Sequence, residues 1–108
     1  ADVLIVSLGT GRHAEPVKYR AGLLGWAKPI LDIVFDGVSR TTEYELEQIL
    51  PAVQNTRRYY RFQTDLKDGE DSMDNSDPTN LQRLVERADG LVQEKMAQIM
   101  EVCALLTQ

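Results

Sequence analysis

The hydrophobic pattern opens with an unbroken apolar run, Val3-Leu4-Ile5-Val6, that leads into Ser7-Leu8-Gly9-Thr10-Gly11. It is rich in β-branched residues and lacks the apolar–polar alternation of a half-exposed strand. A strand over about 2–8, buried on both faces, is therefore expected. Gly9 to Pro16 reads as a loop. From Tyr19 to Val38, Leu23, Ala27, Ile30, Leu31, Val34, Phe35 and Val38 recur at helical spacing. Gly22, Gly25 and Pro29 weaken that stretch, so a short helix followed by a second one starting near Lys28 is expected, with Gly37 as its stop.

Thr42 and Glu45 have the spacing of a capping box for a further helix, with Leu46, Ile49, Leu50 and Val53 on one face and an end at Pro51. Tyr60, Phe62 and Thr64 then alternate with Tyr59, Arg61 and Gln63, which predicts a second strand over about 58–64. The long helical connection between the two strands is what a parallel crossover requires. Residues 65–77 hold six acids (Asp65, Asp68, Glu70, Asp71, Asp74 and Asp77) and read as a solvated, mobile loop in which Asp74 or Asp77 caps the next helix. From Pro78 to the end, Leu81, Leu84, Val85, Ala88, Leu91, Val92, Met96, Ile99, Cys103 and Leu106 keep one apolar stripe. Straight, that helix spans roughly 40 Å at about 1.5 Å per residue, unless Gly90 bends or splits it. Two strands are few for a sheet with a doubly buried member. The chain is accordingly expected to be the tail of a larger α/β domain, with the chemistry upstream.

Composition narrows the function classes. The 108 residues suffice for one small domain, and 43% hydrophobic with 27% charged residues is ordinary for a globular chain. A formal net charge of -5 disfavours a nucleic-acid partner, because no basic stripe offsets it. The nearest cationic cluster, Arg57, Arg58 and Arg61, falls within a strand pattern. The single cysteine, Cys103, excludes an internal disulfide framework and a cysteine-based zinc site, and a reducing, cytoplasmic setting is expected. No apolar run approaches a membrane span.

Four features could carry chemistry. Gly9, Gly11 and Ala14 fit G-x-G-x-x-G/A after a strand, a pattern that can cradle a pyrophosphate. Pro16 stands where the accompanying helix should run, so a tight turn is the plainer reading. His13 is the single histidine, and a Ser-His-Asp hydrolase within this chain would have to use it. No G-x-S-x-G frames Ser7, Ser39, Ser72 or Ser76, and His13 reads as a solvent-facing loop residue. The acidic loop misses the calcium-loop spacing, since Lys67 falls at the third position counted from Asp65. The long stripe reads as a core-facing surface, with an oligomer seam as the alternative beyond Gly90. No catalytic, cofactor-binding or metal-binding residue, and no cofactor, is assigned.

Several segments together resemble the patatin-like phospholipases, in particular the bacterial members. Ser7-Leu8-Gly9-Thr10-Gly11 is similar to the family's S-L-G-T-G segment, and Gly22 to Leu31, with Trp26, to its tryptophan-containing helix. Tyr59-Tyr60-Arg61-Phe62-Gln63 resembles its Y-x-R-x-Q strand, Met73-Asp74 its Met-Asp pair, and Asn80-Leu81-Gln82-Arg83-Leu84 the start of its last helix. The last helix is longer than the family's.

The resemblance implies a three-layer α/β/α fold and a serine lipid acyl hydrolase working through a Ser–Asp dyad, without a histidine base. In the family the serine lies in G-x-S-x-G, the aspartate in D-G-[GA], and a glycine-rich loop forms the oxyanion hole. All three precede the S-L-G-T-G strand, and none is present in these residues. Asp36-Gly37-Val38 is no substitute, because it follows that strand and falls within helical periodicity. Residues 1–108 are thus expected to be the C-terminal part of a patatin-like domain, with two strands and otherwise mostly helical. Its implied partners are the upstream catalytic portion and, through the parent, a lipid or membrane-surface substrate, with cytoplasmic location and membrane association. Self-association through open strand edges or the last helix is also expected. Two other classes compete: a nucleotide-binding module using Gly9 to Ala14, and a non-enzymatic helical oligomerisation or interaction domain.

Overall fold

The apolar run forms β1, Ile5–Leu8, and the alternating Tyr/Arg/Phe segment forms β3, Tyr59–Phe62, in a computed structural model that describes residues 3–13, 23–67, 70, 72 and 74–107. The two strands are parallel, in the register Ile5↔Tyr59 to Leu8↔Phe62, as the helical crossover requires. Two short strands continue the ladder: β2, Arg12–His13, pairs in parallel with β4, Asp65–Leu66. The crossover is α1, Leu23–Ile49, and the chain closes with α2, Pro78–Leu106.

Alternation along β3 sorts the layers. Tyr60 and Phe62 are buried with Val102 of α2, and Leu4, Leu91, Ile99 and Leu105 pack around them. Tyr59 and Arg61 point to the other face, where an Arg61 Nη2–H donates to Ser39 Oγ of α1 at 3.3 Å. One helix therefore covers each face of the ladder, and the chain is mixed α/β. Its radius of gyration is 17.0 Å, against about 13 Å for a compact domain of about 100 residues. The helices project well beyond the short sheet, and the principal extents are 53 × 31 × 18 Å.

Several local expectations give way to this arrangement. β1 is not covered on both faces: Val6 is 39% and Leu8 75% exposed, because α2 lies over β3 and Leu4 and leaves the end of β1 open. The three successive helices expected between the strands are, from Leu23 on, one continuous helix. It carries Pro29 inside, passes through Gly37 and places Thr42 and Glu45 in its interior, so no capping box forms. A Cβ at Gly37 would meet nothing, and α1 turns there in open space; Thr41 Oγ1–H donates to its carbonyl at 2.9 Å, and Asp36 pairs with Arg40 at 2.7 Å. Leu50 and Pro51 lie just beyond its end, where Pro51 was expected to stop it.

At the start of α2, Asp77 is the cap: its Oδ1 accepts from Thr79 N–H at 2.8 Å, with Pro78 in the first turn. Gly90 interrupts nothing. The apolar stripe of α2 is only partly core-facing. The covered line runs through Asn80, Leu84, Arg87, Leu91, Val102 and Leu105, whereas Leu81, Val85, Val92 and Leu106 are exposed. Each exposed residue is one position beyond a covered one, a rotation of about 100°. Expectations resting on Ala14, Pro16, Gly22, Asp68, Gly69, Asp71 and Met73 lie outside the described residues.

Candidate functional site

In parallel sheets, loops leaving the carboxyl ends of strands are where ligands gather, because the strands present several loops at one rim. Here that rim is the turn Gly9-Thr10-Gly11 beside Gln63-Thr64, between the two halves of the ladder. The amides of Gly9, Gly11 and Arg12 are already engaged. Gly9 N–H donates to the Phe62 carbonyl at 2.8 Å and Arg12 N–H to that of Thr64 at 3.0 Å. Gly11 N–H donates to Gln63 Oε1 at 2.9 Å, and the same oxygen accepts from Thr64 N–H at 3.2 Å.

The glycines follow from this packing. A Cβ at Gly9 would overlap the Gln63 carboxamide. Gly11 has φ +98°, and a Cβ there would lie 2.6 Å from Leu66 Cγ. The turn wraps the protein's own glutamine, so the Gly9 and Gly11 amides that a pyrophosphate would need are occupied. Directly after Gly11 the chain is extended in β2, Arg12–His13. The geometry removes the dinucleotide reading of Gly9 to Ala14 as far as its described residues reach.

Behind the turn lies a polar bridge. Arg61 Nη1–H donates to Ser7 Oγ at 2.7 Å while Nη2–H reaches Ser39. Ser7 is thus held by a cation, not by a base that could take its proton. The other arginines of the cluster are also structural: Arg58 donates to the Pro51 carbonyl at 3.2 Å, and Arg57 stands 5.7 Å above the Tyr60 ring. His13, expected to face solvent, is half-buried in β2 opposite Leu66. Its neighbour Arg12 pairs with Asp65 at 2.5 Å, which raises the Arg12 pKa further.

One serine does meet a carboxylate: Ser72 Oγ–H donates to Asp74 Oδ1 at 3.0 Å. Both residues are exposed and two positions apart, so this is the local hydrogen bond of a turn. It has none of the burial that would give a serine–aspartate pair catalytic properties.

The acidic stretch is more ordered than a solvated loop at one point. Glu70 is buried, and its Oε2 accepts from Lys67 N–H at 3.0 Å and from Arg87 Nε–H at 3.1 Å. The Lys67 amide first, and then Arg87, hold its carboxyl below the usual carboxylate range. Together these residues pin the loop to α2. They border an open groove of about 630 Å³ whose charged lining includes Lys67, Arg83, Glu86 and Glu94. Among its described lining residues there is no thiol, hydroxyl–base pair or histidine, and their charges compensate one another. Sequence reasoning missed Glu70 because nothing local distinguishes it from the five neighbouring acids. Among the described residues, no group of three or more His, Cys, Asp or Glu could hold a metal ion. No described helix is long and apolar enough to cross a membrane.

Three curated proteins of Arabidopsis thaliana are similar to the chain. Patatin-like protein 3 is 28% identical over 108 aligned residues, covering 89% of this chain and 25% of its own length. Patatin-like protein 2 is 30% identical over the same aligned length, covering 89% and 26%. Patatin-like protein 4 is 30% identical over 95 residues, covering 75% and 24%. The chain thus spans about a quarter of the length of the curated relatives it matches. No protein-family model matches, and no solved structure matches. The similarity supports kinship with patatin-like proteins.

Proposed function

We propose that residues 1–108 form the C-terminal part of a patatin-like lipid acyl hydrolase domain of the bacterial type. In this reading the serine and aspartate of the dyad are carried by an upstream portion of the same protein. The observation that carries it is the similarity to three patatin-like proteins over 75–89% of the chain. The parallel β1–β3 ladder with a helix on each face agrees with it. The bacterial type rests on the Gly22 to Leu31 segment around Trp26.

The role of these residues is support. β1 and β3 extend the central sheet, α1 and α2 cover its faces, and the Gln63-filled turn sets the rim at the carboxyl ends of the strands. The substrate class is an acyl ester of a lipid, met at a membrane surface by a protein of the cytoplasm. The test is hydrolysis of short-chain acyl esters and phospholipid vesicles by the longer protein that carries these residues. Hydrolysis lost on replacing the serine of its G-x-S-x-G by Ala is the expected result. Hydrolysis by the 108-residue chain alone, or a longer protein lacking both motifs, overturns the reading.

The exposed half of the α2 stripe favours one other reading, a helical interaction module. Light scattering would then show oligomers that Val92→Asp dissolves. Leu91 and Ile99 are unsuitable positions for that test, since both pack on the core.

A further inference from the structure

α1 rests on the ladder by its polar side. Its half-covered line runs through Asp32, Asp36, Ser39 and Glu43, which share one helix face at three- and four-residue spacing. Ser39 Oγ accepts from Arg61 at 3.3 Å. The Arg12 pKa, raised chiefly by Asp65, is raised further by Asp36 and Glu43. This face of the ladder presents Arg61 bonded to Ser7, so the helix turns its acids and a hydroxyl toward it.

The opposite side of α1 is apolar and open. Ile30, Leu31, Val34 and Val38, flanked by Ile33 and Phe35, are 51–67% exposed. The charges between positions 30 and 38 are Asp32 and Asp36, and both lie on the covered line. An amphipathic helix ordinarily buries its apolar stripe, whereas this one turns it outward. Contiguous apolar surface of this kind marks an interaction site. Size and charge select the occupant. Nine residues at about 1.5 Å each make a ridge about 13 Å long and about 10 Å across. That falls short of the about 800 Å² per partner that a stable protein pair buries. The ridge also faces away from the ladder, and hence from the sheet that an upstream portion would extend. A bilayer needs no area of that size, because a helix lying in the headgroup boundary inserts only its apolar side chains.

We infer that the apolar ridge of α1 over 30–38 lies in the surface of a lipid bilayer, its side chains inserted at the acyl boundary and its axis in the membrane plane. The choice of lipid as occupant rests on the function proposed above, and the ridge is where these residues meet the surface that carries the ester. With its acids turned inward, the ridge brings no charge to the headgroups. Neutral lipid therefore suffices, and a chain of formal net charge -5 gains nothing from an anionic one.

The experiment is flotation of the longer protein with phosphatidylcholine vesicles, with short-chain ester hydrolysis measured on the same preparation. Binding is expected, changing less than about twofold between low and high salt. Val34→Asp should weaken it at least about tenfold, and Val34→Leu should not. Gln48→Asp, an equal charge change on an exposed turn of α1 beyond the ridge, should leave it within about twofold. Ile30→Asn repeats the test should Val34→Asp lower the unfolding midpoint. No binding by the unsubstituted protein, or equal binding by Val34→Asp, overturns the inference. So does a Val34→Cys thiol that maleimide fails to label without vesicles, since upstream chain then covers the ridge. Dimers that Val34→Asp splits assign the ridge to a second copy and overturn it too. Ridge-dependent binding without ester hydrolysis leaves the surface standing and refutes the proposed activity, so the two failures are separable.

Discussion

Gly11 offers the sharpest quantitative test of how the turn is built. Replacing it by Ala introduces two separable penalties. A residue with a Cβ at φ +98° is strained, at about 1–2 kcal/mol. The new methyl would also lie 2.6 Å from Leu66 Cγ, and forcing an extra carbon into a buried contact adds about 1–3 kcal/mol. Gly11→Ala should therefore cost about 2–5 kcal/mol. The two parts come apart in a double-mutant cycle with Leu66→Ala, which removes the obstructing side chain. In that background the Gly11→Ala cost should fall to the conformational part, about 1–2 kcal/mol, a coupling of about 1–3 kcal/mol. Urea unfolding followed by far-ultraviolet circular dichroism measures all four corners. Additivity within about 0.5 kcal/mol would refute the Gly11–Leu66 contact. A neutral Gly11→Ala would refute the positive φ as well.

Three further outcomes are expected. Glu70 has a folded pKa below its unfolded value, so its contribution is fully present above about 4.3 and is lost as pH falls through the folded pKa; Tm against pH should show this loss in the parent sequence and a flatter acid limb in Glu70→Gln. Gly37 and Gly90 are helical, and a Cβ at either would meet nothing; Gly→Ala at each should stabilise by about 0.5–1 kcal/mol in urea unfolding. The Tyr60 hydroxyl is buried without a hydrogen bond, and burial, then the nearby Glu101, raises its pKa; Tyr60→Phe should be neutral or stabilising by up to about 1 kcal/mol, and Tyr60→Ala should cost about 3–5 kcal/mol in the same assay.

Both main strands, their parallel relation and the Asp77–Pro78 helix start were legible along the chain, because each depends on residues a few positions apart. An unbroken apolar run, an alternating aromatic run and a side-chain cap are local signals with local causes. The inner breaks expected in α1 did not form. Pro29 and Gly37 weaken a helix only by amounts that the rest of a 27-residue segment outweighs. The glycine turn was legible as a tight turn, but its content was not: Gln63 lies 52 residues from Gly11.

The sequence by itself therefore determined the elements, the sense of the crossover and the absence of the family's dyad motifs from these residues. Only the tertiary structure decided which line of α2 is covered, that Glu70 is buried against Arg87, and that the turn holds a glutamine in place of a phosphate. Periodicity fixes which residues share a helix face, yet it leaves the rotation of that face against a sheet free. That rotation is set by side chains distant in the chain, here Tyr60, Phe62 and Leu4 against Val102. The same contacts leave Val6 and Leu8 exposed, although their apolar sequence reads as interior.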